Sequence, residues 1–189
     1  MLQSTCYNVS NAMRRELFIH FSFWLSFFVL ISLVRQFFNF SYWPFWVGGI
    51  VGLFLPDIDH LVYIFFLKPQ ELTSQRINFL IDRHEIKRTL TLIYETRTER
   101  RDLIFHSVLF QLIFLVLTFW IMTSSGSFFG KGLVLSFSMH LLVDQLIDLN
   151  DIKSFDNWTK NFLIKFDLRQ AQIYIGALAF IVILFGIFF

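Results

Sequence analysis

The most constraining feature of this sequence is a series of long apolar runs, separated by segments that carry most of the charge. Of the 189 residues, 56% are hydrophobic, 27 are Phe and only 16% are charged. An α-helix needs about 20 apolar residues to cross a bilayer, whereas a barrel strand needs about 10. Because the runs are of the longer kind, the sequence predicts an all-α integral membrane protein.

Five membrane spans are predicted, and they form a single membrane domain over residues 1–189. The spans cover about 17–34, 44–67, 103–122, 129–149 and 171–189. In the second span, Gly48, Gly49 and Gly52 predict that a neighbouring helix approaches closely. Pro56, in the same span, removes a backbone hydrogen bond and predicts a kink or break in the helix.

The distribution of Lys and Arg predicts how the spans are oriented. If the N-terminus is cytoplasmic, 14 of the 16 basic residues face the cytoplasm, and only Arg35 and Lys131 lie outside. The positive-inside rule therefore favours a cytoplasmic N-terminus and an external C-terminus, and we expect a prokaryotic inner membrane. The loop 68–101 has apolar residues at helical spacing, which predicts one or two amphipathic helices on the inner membrane face. Membrane lipid is the expected partner, and nucleic acid is not.

The second span contains ionisable side chains at a depth where membrane helices rarely have them. Between Trp46 and Leu67 these are Asp57, Asp59 and His60, within the sequence Leu-Pro-Asp-Ile-Asp-His. A carboxylate at the centre of a membrane helix costs roughly 2.5–3.5 kcal/mol, so such residues indicate a functional site.

The predicted orientation places further His and Asp residues in the same cytoplasmic-side layer. His20 lies one turn into the first span, His106 follows Asp102 by four positions, and His140 precedes Asp144 by four positions. Residues four apart share one face of a helix. Such pairs can bind one metal ion together, or a carboxylate can orient a ligating imidazole. The layer therefore predicts a metal site built from several helices.

The motifs in this layer resemble those of a known family. Residues 55–60, the His-Ser pair at 106–107 and the His-Leu-Leu-Val-Asp segment at 140–144 are similar to motifs of the YdjM-like (LexA-regulated type) membrane-bound metal-dependent hydrolases. The resemblance spans about residues 17–149. That family is distantly similar to zinc-dependent phospholipase C, which implies phosphoester hydrolysis at a multi-zinc site.

The chain departs from the family pattern at one place. The family usually has His-Arg-Gly ahead of the His-Ser pair, with the His five residues earlier. Here Arg101 and Asp102 stand at that place, so one expected ligand is either missing or replaced by Asp102. The resemblance leaves the number of bound metal ions open.

We therefore expect a hydrolase that acts on a lipid or lipid-linked phosphoester at the cytoplasmic leaflet, with one or two divalent metal ions, most suitably zinc. The predicted metal ligands are His20, Asp57, Asp59, His60, His106, His140 and Asp144. The candidate catalytic residues are Asp57, Asp59 and Asp102. The candidate substrate-binding residues are Arg100, Arg101 and Ser107.

Two other functions fit the same residues. The buried Asp and His side chains could pass a metal ion or protons across the membrane, but a transporter is expected to have repeated halves with paired broken helices. In this sequence only the second span is broken. The polar residues could also just join helices in a non-catalytic scaffold, which predicts that the purified protein carries no metal.

Overall fold

The computed structural model describes residues 2–100, 102–151, 155–160, 162 and 164–188, without the side chains of residues 2–13 and 98. The regular elements in these ranges are all helical, which confirms the predicted all-α class. The α-helices are α1 (Leu2–Arg35), α2 (Trp43–Phe54), α3 (Ile58–Val62), α4 (Leu72–Asp82), α5 (Ile86–Glu95), α6 (Val108–Ser124), α7 (Phe128–Asp151), α8 (Asp156–Thr159) and α9 (Leu168–Phe188).

Four helical stretches are long and apolar enough to cross a membrane, where five were predicted. They are Arg14–Arg35, Phe40–Leu67, Phe128–Asp151 and Leu168–Phe188. The predicted span 103–122 is the exception, because the helix in this part of the chain, α6, has only 17 residues. Its beginning is set by Ser107, whose side-chain oxygen accepts a hydrogen bond from the Phe110 backbone N–H at 3.3 Å and so caps the helix.

The second span is broken at the predicted position. Helix α2 ends at Phe54 and α3 begins at Ile58, with Pro56 in the turn between them. Proline cannot donate the backbone hydrogen bond that a continuous helix needs. A π-helical turn, Tyr63–Leu67, completes the stretch.

The predicted single domain packs as two compact units. The first consists of Met1–Ile19 and Asp57–Leu103, and the second of His20–Pro56 and Ile104–Phe189. In the first unit, Arg97 forms an ion pair with Glu16 at 2.6 Å. Helices α4 and α5 occupy the loop for which one or two amphipathic helices were predicted.

The second unit is built around α7, which is buried along most of its length and packs against α2, α6 and α9. One part of its core contains Trp24, Phe28, Phe45, Leu135 and Val182. Another part contains Val108, Phe137, Leu141, Trp158, Ile175 and Leu178. Because α7 is enclosed on several sides, a charge on it must be compensated by nearby protein groups.

The glycines of α2 allow α7 to approach closely, as the sequence predicted. A Cβ atom at Gly48 would lie 2.0 Å from the carbonyl oxygen of Phe129, at the start of α7. The contact is reciprocal, because a Cβ atom at Gly132 of α7 would lie 2.0 Å from the carbonyl oxygen of Phe45. Backbone packs directly on backbone here, and any side chain would separate the two helices.

We predict that Gly132→Ala lowers the free energy of unfolding by about 1–3 kcal/mol, because the new methyl group collides with a carbonyl that cannot move aside. Gly176→Ala, in α9, is the matched control, since no atom lies within 4 Å of its added Cβ. The control should be neutral, or more stable by up to about 1 kcal/mol. Thermal unfolding in detergent, followed by circular dichroism, measures both. Equal midpoints for the two variants would contradict the prediction.

Candidate metal centre

One carboxylate, that of Asp144, is in contact with three imidazoles. The Nε2 atom of His20 lies 3.1 Å from its Oδ1 atom. The Nε2 atoms of His106 and His140 each lie 3.1 Å from its Oδ2 atom. All four residues belong to the second unit. The structure thus brings together four of the seven predicted metal ligands.

Three separate parts of the chain supply these side chains. His140 and Asp144 lie one turn apart on α7, as their spacing predicted. His20 projects from α1, and its ring centroid lies 4.4 Å from that of His140. His106 lies in the non-helical segment before α6, directly ahead of the capping residue Ser107. The site therefore depends on long-range packing, apart from the one pair within α7.

The centre lies inside the protein. His140 is only 4% exposed and Asp144 only 8%. A carboxylate at such a position is stable only if charge or hydrogen-bond donors compensate it. The Nε2–H groups of His20 and His106 can do so as hydrogen-bond donors, and a cation shared between the imidazoles and the carboxylate can do so as well.

The donor set fits a small divalent metal ion. The ligand atoms of His20, His140 and Asp144 all lie within 4.8 Å of one another. Around a zinc ion, with bonds of about 2.0–2.1 Å, neighbouring ligand atoms of a tetrahedron are about 3.3 Å apart. The separations of 3.1 Å from His20 to Oδ1 and from His140 to Oδ2 of Asp144 are each close to that edge length, one at each carboxylate oxygen. His106, which contacts the second carboxylate oxygen, can complete the set or orient the carboxylate.

The residues of the Asp-Ile-Asp-His cluster belong to the first unit. Asp59 is buried and Asp57 is exposed. His60 accepts a hydrogen bond at its Nδ1 atom from the Nε atom of Arg100, at 3.2 Å. The roles predicted for these three residues, as metal ligands and as catalytic carboxylates, stay predictions.

The hydrogen bond from Arg100 determines the tautomer of His60. A guanidinium is always a donor, so Nδ1 must offer its lone pair, and in a neutral imidazole the proton is then on Nε2. A metal-bound imidazole normally donates its other N–H to an acceptor. In His60 the Nδ1 atom accepts a hydrogen bond from Arg100 instead of donating one. This arrangement is typical of a histidine that makes structural hydrogen bonds.

Arg100 itself is a buried cation at the end of α5. Its Nη1 atom donates to the hydroxyl of Thr96 at 3.0 Å, and its Nη2 atom donates to the carbonyl oxygen of Ile93. Burial lowers the pKa of its guanidinium to about 10, so the side chain is still charged at neutral pH. A cation at the carbonyl end of a helix is favoured by the helix dipole. The predicted role of Arg100 in substrate binding stays a prediction.

The remaining predicted site residues have structural contacts or fall outside the described residues. Asp102 lies 3.6 Å from the Nζ atom of Lys68 and is half-exposed. Ser107 caps α6 and donates from its hydroxyl to the carbonyl oxygen of Ile104 at 2.9 Å. Arg101 lies outside the described residues. The predictions for all three stay open.

Two residues near the centre were not among the predicted site residues. Trp158, on α8, has its ring centroid 5.5 Å from that of His106. Its indole Nε1 atom donates to Asp148 at 2.8 Å. Asp148 follows Asp144 by four residues, which is one turn of α7, so the sequence alone places both on one face of that helix. No sequence signal within one segment connects Trp158 to His106, which lies 52 positions earlier.

The chain was compared with family models, with curated proteins and with solved structures, and none of the three comparisons finds a match. The similarity to YdjM-like hydrolases therefore depends on the motif residues alone. What the structure adds is the arrangement of the side chains at Asp144.

We predict that a divalent cation, with cobalt as the probe, raises the thermal midpoint of the protein by on the order of 5–10 °C at about 100 times its dissociation constant. The reason is that only the folded chain brings the ligands together. His140→Ala should abolish the shift, because it removes a buried ligand. His84→Ala is the control, since His84 is exposed on the first unit, and it should respond like the unmodified protein. Equal shifts in both variants would show that cobalt binds elsewhere.

We further predict that His60→Ala keeps the cobalt-induced shift, because the His60 Nδ1 atom accepts from Arg100. The same thermal measurement decides between this and the ligand role predicted from the motif. A shift lost in His60→Ala, as in His140→Ala, would establish His60 as a ligand.

Proposed function

We propose that this protein is a membrane-bound metal-dependent hydrolase of lipid or lipid-linked phosphoesters. The observation that carries the proposal is the convergence of three imidazoles on the buried carboxylate of Asp144. Sites with three His or Asp ligands and one open position are typical of catalytic zinc. A hydrogen bond that only joins two helices needs fewer ionisable groups than the three imidazoles and one carboxylate gathered here.

Zinc is the metal we favour. Its usual ligands are imidazole nitrogen and carboxylate oxygen, and the set His20, His106, His140 and Asp144 offers both. Calcium and magnesium prefer sites made of oxygen atoms. A second ion would need further ligands, for which Asp57 and Asp59 are the predicted candidates.

The chain's own residues would hold the ion, exclude bulk water and bind substrate. When bound, zinc supplies Lewis-acid chemistry, which activates water and polarises the phosphoryl oxygen. The enclosure of His140 and Asp144 keeps the local dielectric low, and this strengthens electrostatic stabilisation of a developing negative charge. Asp57, Asp59 and Asp102 remain the candidates for accepting a proton. Arg100, Arg101 and Ser107 remain the candidates for contacting the headgroup.

The membrane setting and the family resemblance support a lipid substrate. His20, His140 and Asp144 lie on helices that can cross a membrane, so a substrate that reaches them from the bilayer needs no path through water. The basic residues favour a position at the cytoplasmic leaflet of a prokaryotic inner membrane, with the N-terminus inside. The resemblance to YdjM-like hydrolases supports cleavage of a phosphoester.

The test is elemental analysis of the purified protein beside the double variant Asp57→Ala, His140→Ala, followed by hydrolysis assays on a panel of phospholipids. We expect the unmodified protein to carry zinc and to release product, and the variant to lose metal and at least about 100-fold in rate. His84→Ala should retain both properties.

The other outcomes identify the alternatives. If neither the unmodified protein nor the double variant carries metal, the hydrolase proposal fails and the non-catalytic membrane scaffold is the function that fits. Metal in the unmodified protein, together with metal-dependent uptake into vesicles and no hydrolysis, would indicate a transporter.

A further inference from the structure

His106 is held differently from the other two histidines of the centre. His20 and His140 project from the interior of α1 and α7, where backbone hydrogen bonds fix the main chain. His106 lies in the non-helical segment that ends at Ser107. Its own backbone therefore constrains the imidazole less, and contacts from elsewhere are needed to hold it 3.1 Å from Asp144.

Trp158 provides such a contact. Its ring centroid is 5.5 Å from that of His106, with the two planes tilted by 54°. The indole is only 2% exposed, and Phe155 stacks nearly parallel to it at 6.1 Å. A large, rigid side chain that is packed this tightly limits the positions open to a neighbouring ring.

The indole is itself tied to the helix that carries the centre. Its Nε1–H group donates to the Oδ2 atom of Asp148 at 2.8 Å. Asp148 lies one turn beyond Asp144 on α7, and His140 lies one turn before it. The ring that borders His106 is therefore positioned relative to the same helix as the carboxylate that His106 contacts.

We propose that Trp158 is a positioning residue of the metal centre. Trp158 holds the His106 imidazole against Asp144, and Asp148 fixes the orientation of the indole. The effect of Trp158 on metal affinity rests on the proposed function. Its effect on the position of the His106 imidazole does not, because that position can be measured in metal-free protein. The simpler alternative is that Trp158 only fills the core, as its neighbours in the same cluster do.

The experiment compares Trp158→Ala, Trp158→Phe and Asp148→Asn with a core control, Leu178→Ala. Leu178 is a buried member of the same apolar cluster and lies on α9. Two properties are measured in detergent. The first is the dissociation constant for cobalt, by competition with a chelator. The second is the imidazole resonance of His106 in metal-free protein with ¹³C-labelled histidine, assigned with His106→Gln.

We expect Trp158→Ala to weaken cobalt binding by about 10–100-fold, the usual effect of removing a group that orients a ligand. The His106 resonance should shift in this variant because the indole ring current is lost. It should also shift in Asp148→Asn, where the indole ring is kept and only its restraint is weakened. Trp158→Phe keeps an aromatic ring but loses the bond to Asp148, and Asp148→Asn weakens that bond. Both should weaken cobalt binding by less than Trp158→Ala. Leu178→Ala should lower the thermal midpoint and leave both other properties unchanged.

Several results would overturn the proposal. One is a folded Trp158→Ala protein with unmodified cobalt affinity and His106 resonance. Another is an equal change of cobalt affinity and His106 resonance in Leu178→Ala, which would show that Trp158 acts only by filling the core. If Trp158→Ala does not fold, unchanged cobalt affinity in both Trp158→Phe and Asp148→Asn overturns it instead.

Failure of the proposed function has a different signature. If the unmodified protein binds no cobalt, the hydrolase proposal fails, and the His106 resonance alone decides the role of Trp158. A shift in Asp148→Asn, which keeps the indole ring, that is absent in Leu178→Ala then supports positioning. No shift in either variant overturns it.

Discussion

The buried carboxylate of Asp144 places the strictest demand on the second unit of this protein. It lies on α7, the candidate span that is most enclosed by protein, where neither water nor lipid can compensate a negative charge. The compensation comes from His140 on the same helix, from His20 on α1 and from His106 ahead of α6. Each contact is 3.1 Å long, so the compensation requires the side chains of His20 and His106 to lie against α7.

Other buried polar groups in the protein are stabilised without a shared carboxylate. In the second unit, the Oε1 atom of Gln111 accepts hydrogen bonds from Gln145 and Tyr174, both at 2.6 Å, and so links α6, α7 and α9. In the first unit, the Arg100 cation is offset by acceptors at the end of α5. The Gln111 network uses neutral groups to join helices, as membrane proteins commonly do, whereas Arg100 is a cation held by neutral acceptors near it in sequence. The Asp144 centre, by contrast, gathers metal-binding groups, which is why it carries the functional proposal.

One pair of the site could be anticipated from spacing within a single helix. The four-residue interval between His140 and Asp144 places both on one face of α7, and the structure keeps them together. The helix of the second span is broken at Pro56, directly before the Asp-Ile-Asp-His motif, as expected, and the residues of the motif belong to the first unit. The hydrogen bond from Arg100 to His60 has no sequence signal, because it joins residues 40 positions apart. Trp158 was missed as a neighbour of the centre for the same reason.

The sequence by itself determined the all-helical membrane class, the break at Pro56 and the glycine contact of α2, because length, composition and backbone chemistry act within one segment. Only the tertiary structure decided that α7 is the partner of those glycines. It also decided which imidazoles meet Asp144. Periodicity shows which face of a helix is polar, but the partner of that face depends on how helices distant in sequence pack together.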